Sequence, residues 1–146
     1  MKRMRMLGVL LLAGIAAAGW AEELRGGRLL EGGEVHAEFF VTADRHVELR
    51  FLDEAHKVEA VGDRVAVCIA ATESGKTNLQ FEARGDVLVS TTPLPEGDGY
   101  TVIIQIARAP GEKPRNFRIV YHSELCGACE RPEYACLCEE GEHAAH

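Results

Sequence analysis

The chain has 146 residues, with 16 Lys and Arg against 23 Asp and Glu and a formal net charge of −7. That balance argues against nucleic acid as a partner, because binding a polyanion needs clustered cations to displace counterions from phosphates. The length suits one domain with a modest core.

At the N-terminus Lys2, Arg3 and Arg5 precede an apolar run from Leu7 to Ala18, and small residues come next. This is the three-part layout of a secretory signal peptide. A bilayer needs roughly 20 consecutive apolar residues, and this run is shorter and interrupted by Gly8 and Gly14. The expectation is a signal peptide over residues 1–21, cut after Ala21 with Gly19 at the small upstream position, or after Ala18 with Ala16 upstream. No cysteine stands at the cleavage region to carry a lipid anchor. The mature protein is therefore expected to be soluble, periplasmic or secreted, with no membrane span once the signal is removed. Loss of Lys2, Arg3 and Arg5 leaves it more acidic still.

Residues 22–34 are Gly-rich and read as a flexible leader, with Leu29 and Leu30 available to dock on the β-rich region that begins at Val35. From Val35 to Tyr121 apolar residues recur with period two, the mark of strands that bury one face and wet the other. Val35, Ala37, Phe39 and Val41 alternate with His36 and Glu38. After a turn at Thr42-Ala43-Asp44-Arg45, Val47, Leu49 and Phe51 alternate with His46, Glu48 and Arg50. Val65, Val67 and Ile69 form a third inward row, which leaves Cys68, Ala66 and Ala70 on the opposite face. Thr77, Leu79 and Phe81 form a fourth row, and a turn at Arg84-Gly85-Asp86 leads to Val87 and Val89. A loop from Pro93 to Gly99 precedes Val102, Ile104 and Ile106, and a last strand carries Phe117, Ile119 and Tyr121. About seven short strands with turn signals between them predict an all-β domain over residues 35–122: an antiparallel β-sandwich, or an open barrel.

Residues 123–146 form an acidic, Cys-rich tail in which Cys126, Cys129, Cys136 and Cys138 have a C-x2-C-x6-C-x-C spacing. A CxxC turn sets two sulfurs on one side of a loop, with Gly127 there to relieve the backbone, and Cys136 and Cys138 face the same way on an extended segment. Pro132 helps the chain double back. Thiolates select soft or borderline ions, so Zn²⁺ or Cu⁺ is the expected cargo, and a closed set of four sulfurs holds an ion without an open position for substrate. His122, His143 and His146 are candidate additional ligands. An oxidising compartment equally favours two disulfides, which would staple the tail of a β-sandwich interaction module. A redox CxxC would need a helix after Cys126, which Pro132 cuts short.

Elsewhere the residues carry blander chemistry. Cys68 reads as a small buried hydrophobe. His36 and His46 share the polar sides of paired strands, where solvated imidazole is commonplace. Gly75-Lys76-Thr77 ends like a phosphate loop but has Ala70 at the first glycine position and a strand after it. With no nucleophile elbow or paired-carboxylate pocket, the chain is expected not to be an enzyme.

In the run from Ala37 to Phe51, in Gly75-Lys76-Thr77, Leu79-Gln80-Phe81, Gly85 to Val89, Pro93 to Tyr100 and Asn116-Phe117-Arg118, the chain resembles small exported bacterial proteins associated with heavy-metal efflux systems. The resemblance covers roughly residues 35–138. It implies a periplasmic β-domain working beside a resistance-type efflux pump and its adaptor, with Cys126, Cys129, Cys136 and Cys138 handling the metal. One departure stands out: the copper and silver chaperones of such systems bind through methionine and histidine, whereas Met1, Met4 and Met6 all lie in the signal segment.

Overall fold

Alternation of apolar and polar residues becomes a continuous antiparallel sheet in the computed structural model, which describes residues 24–136 and Cys138. Its strands are β1 (Arg28–Gly32), β2 (Val35–Val41), β3 (Val47–Leu52), β4 (Val58–Glu59), β5 (Val65–Thr72), β6 (Gly75–Arg84), β7 (Val87–Ser90), β8 (Tyr100–Ala107) and β9 (Arg115–Tyr121). They run in the order β1-β2-β3-β7-β6-β5-β8-β9, with β4 paired to β3. The ten-residue β6 is the corner: Gly75–Gln80 pair with β5, and Phe81–Arg84 pair with β7. Switching partners along one strand joins two layers into a single sheet that curls until it is nearly closed. The expected all-β antiparallel architecture with a Cys-rich C-terminus is what the structure shows.

Between the layers lie Ala37, Phe39, Val47, Leu49, Leu79, Val102 and Ile104, all fully buried. Each large side chain among them contributes roughly 1.5–3 kcal/mol by leaving water. The rows of β2, β3 and β8 face inward as their alternation predicts. The row of β5 does not. Cys68 and Ala70 are fully buried, Ala66 packs on the core, and Val65 is 41% exposed. The expected inward row Val65, Val67 and Ile69 thus faces outward. Both faces of Val65–Ala71 are apolar, so alternation carries no information there, and a one-residue change of register exchanges them. Neighbouring volumes make the choice: Cys68 lies between Leu79 and Ile104 and Ala70 opposite Val102, so small residues fill the space that larger partners leave. Burial pushes the Cys68 thiol up to about 12, consistent with its reading as an inert small hydrophobe.

The stretch read as a loose leader contains β1, whose Leu30 is 3% exposed in the core. Ahead of it, residues 24–27 cover the outer face of β2 and β3. There Glu38 and Arg50, directly opposed in register, are 1% and 2% exposed, although alternation marks both as solvent-facing. The Glu38 carboxylate accepts the N–H groups of Arg25 at 2.9 Å and Gly27 at 3.1 Å, and Arg50 donates to Glu48 at 2.7 Å. Gly27 allows this close approach, since a Cβ there would stand 2.2 Å from the Phe39 carbonyl oxygen. Backbone cannot yield as a flexible side chain would. Gly27→Ala is expected to lift the segment and cost about 1–3 kcal/mol through the unsatisfied Glu38 carboxylate. Urea denaturation together with hydrogen exchange at the Arg25 amide checks this.

Among the described residues no helix is long and apolar enough to cross a membrane. β1 and β9 end the strand order, and the C-terminal tail packs at the seam between them.

Candidate metal centre

The tail leaves the sheet at Tyr121, where two bonds to one carboxylate set its direction. Asp98 accepts from the Ser123 amide at 2.7 Å and lies 2.8 Å from His122 Nδ1, while the Gly99 amide donates to the Tyr121 carbonyl. Burial opposes ionisation of Asp98, but the hydrogen bonds from Ser123 and His122 outweigh it and hold the carboxyl below its ordinary range.

A tight hairpin loop comes next. Leu125 and Pro132 form a β-bridge, the Cys126 amide donates to the Arg131 carbonyl at 2.7 Å, and the Glu130 amide returns to the Cys126 carbonyl at 3.0 Å. The left-handed residue that closes the loop is Glu130, with φ of 59°; Gly127 is not in that region. Pro132 then leads into one 3-10 turn, Glu133–Ala135, and Cys136 is extended again. The CxxC thus sits on a hairpin, not at the start of a helix.

These bends bring four sulfurs together. Cys129 and Cys136 lie 3.2 Å apart, Cys126 and Cys138 3.9 Å, and all four ligand atoms fall within 4.8 Å of one another. A tetrahedral ion with Zn–S bonds of about 2.3 Å has sulfur–sulfur edges of roughly 3.8 Å, so the observed spacing brackets the required one. A disulfide needs about 2.0 Å. None of the five cysteines is in a disulfide, so the staple weighed from the sequence is not formed. The cluster interleaves the two sequence pairs, since each close contact joins one cysteine of the CxxC to one of the CxC.

Cys126 is 2% exposed at the base of the cluster, whereas Cys129, Cys136 and Cys138 are partly accessible. The Cys138 amide donates to the Cys136 sulfur at 3.3 Å, as amides do towards electron-rich sulfur. Partial burial, then the neighbouring Cys129 and Cys126 thiols, push Cys136 above its ordinary value. Cys138 is raised chiefly by the Cys136 thiol, then by burial. The raised Cys136 and Cys138 thiols resist ionising, so an ion must displace their protons and binds more tightly as pH rises.

Tyr134 docks this loop on the sheet, a role that spacing of cysteines does not reveal. Its ring meets Phe39 edge-on at 5.6 Å and Tyr121 at 5.7 Å, and its hydroxyl oxygen accepts the Val41 N–H at 2.9 Å. Burial raises the phenol to about 12, which keeps it neutral. The available signal was an aromatic-Ala pair between the two cysteine pairs of an otherwise charged tail.

His122 lines a cleft of about 650 Å³ together with Cys136, Cys138, Arg28 and Arg118. It is not one of the four clustered ligands, and its Nδ1 is engaged by Asp98. His143 and His146 lie outside the described residues, as does the signal segment. His36 and His46 do not meet: the β2–β3 register puts Ala37 against Phe51 and Val41 against Val47, which places the two histidines at opposite ends of the ladder. Gly75-Lys76-Thr77 begins β6 just after a tight β-turn. No family model, curated protein or solved structure matches this chain.

Proposed function

We propose that this is an exported, non-enzymatic metal-binding protein that holds one soft or borderline ion, Zn²⁺ or Cu⁺, through Cys126, Cys129, Cys136 and Cys138. The observation that carries the reading is the gathering of four sulfurs within 4.8 Å of one another on a loop whose backbone is already hydrogen-bonded. Thiolates of this number favour such ions over Mg²⁺ or Ca²⁺. The sheet serves as scaffold, and the signal-like N-terminus directs the chain to the periplasm or beyond. Three partly accessible sulfurs beside the cleft suit capture and release, so the acceptor we infer is another exported metal-handling protein, such as the adaptor of an efflux pump.

Native mass spectrometry of the signal-free protein, purified reduced and offered Zn²⁺ or Cu⁺, tests this. One ion per chain on four alkylatable thiols is expected. A reduced protein that takes up neither ion at the tail overturns the proposal. Two tail disulfides in the material as exported, with no ion bound, would instead assign the tail a stapling role.

A further inference from the structure

A second group of metal-ligating side chains lies on the sheet, away from the cage. Glu31 of β1 and His36 of β2 are directly opposed in register. His56 reaches them from the turn after β3. That turn is firmly built: the His56 amide donates to the Asp53 carbonyl, the Asp53 amide to the Lys57 carbonyl, and the Asp53 carboxylate accepts from Ala55 and Lys57. His56 itself is left-handed, with φ of 59°, a conformation that a non-glycine residue adopts only where its surroundings impose it.

One oxygen of Glu31 faces both rings. It lies 2.9 Å from His56 Nε2 and 4.0 Å from His36 Nδ1. His36 Nδ1 is buried and makes no hydrogen bond. An ordinary pair of ionic contacts leaves that nitrogen unexplained, because a buried polar atom without a partner is costly. An ion bound between the rings satisfies it. Zn–N and Zn–O bonds of about 2.0–2.1 Å imply ligand–ligand edges of roughly 3.3 Å, a value between the two separations. Glu31 and His56 are both about half exposed, which leaves their side chains room to turn towards an ion.

We propose that Glu31, His36 and His56 form a second cation site, taking a borderline divalent ion such as Zn²⁺ through His36 Nδ1, His56 Nε2 and the Glu31 carboxylate. Imidazole and carboxylate suit such ions, and three protein ligands leave a fourth position for water or an exchanging ligand. The site is separate from the cysteine cage. The loop that carries the cage docks through Tyr134 on the Val41 amide, and five residues along β2 at about 3.3 Å each put His36 roughly 17 Å from that amide. It therefore stands whether or not the cage takes metal.

The test is a Zn²⁺ titration of the reduced, signal-free protein, with bound equivalents counted by native mass spectrometry and His ring signals tracked by NMR. The unsubstituted protein is expected to take one more equivalent than H36Q/H56Q, with the His36 and His56 rings shifting as that equivalent binds. E31Q, whose two imidazoles remain, is expected to weaken that equivalent. H46Q, at the far end of the ladder, serves as control and is expected to match the unsubstituted protein. Because the readout is a difference, it is the same with the cage loaded or oxidised. Equal counts in the unsubstituted protein and H36Q/H56Q overturn the proposal, as does loss of the same equivalent in H46Q.

Discussion

Replacing Tyr134 with alanine is expected to lower the stability of the protein by about 3–5 kcal/mol, the range for truncating a buried aromatic ring. The residue is 4% exposed and joins three parts of the chain: the Phe39 ring of β2, the Tyr121 ring of β9 and, through its hydroxyl, the Val41 amide. Removing the ring opens a cavity at the seam, and the Val41 amide loses its acceptor. Tyr134→Phe separates these effects. It keeps the aromatic packing and leaves one donor unsatisfied, an expected cost of about 1–3 kcal/mol. Urea denaturation of both variants at one fixed metal concentration measures the difference. An alanine variant within about 1 kcal/mol of the parent would mean that the strands close the seam without the tail.

Removing the ion is the second large perturbation. If the cage is filled in the native state, free metal a thousandfold above its dissociation constant adds about 4 kcal/mol to apparent stability, and a chelator takes that away. The loss is expected to be local first. Cys126 and Glu133 donate their amides within the cage loop, to Arg131 and Glu124, while the Val41 amide is held by Tyr134. Chelation should therefore speed hydrogen exchange at these three amides before it affects the Leu49 amide in the middle of β3. Exchange that is unchanged by chelation would show that the loop stays docked by packing alone, with Tyr134 and Cys126 as its anchors. The raised thiols of Cys136 and Cys138 set the sign with pH: protons compete with the ion, so the chelator-sensitive part of stability shrinks as pH falls.

Legibility of the fold varied strand by strand, for identifiable reasons. Where one face is apolar and the other charged, as in His36 to Val41 or Val47 to Phe51, period-two alternation named the inward residues correctly. On β5 it failed, because Val65 to Ala71 offers apolar side chains on both faces and only the volumes of Leu79, Val102 and Ile104 select the small row. Glu38 and Arg50 failed differently. Their polarity pointed to solvent, and residues 24–27 removed the solvent by covering them.

By itself, the sequence determined the all-β class, the positions of most strands and the four-cysteine motif, because side-chain periodicity and ligand spacing are properties of neighbours along the chain. Only the tertiary structure decided which face of β5 is the core, that Tyr134 anchors the tail, that Cys129 pairs closely with Cys136, and that Glu31 lies near both His36 and His56. Each of these depends on register and on the docking of segments distant in sequence, where packing volume and hydrogen-bond satisfaction choose among arrangements that local pattern leaves equivalent.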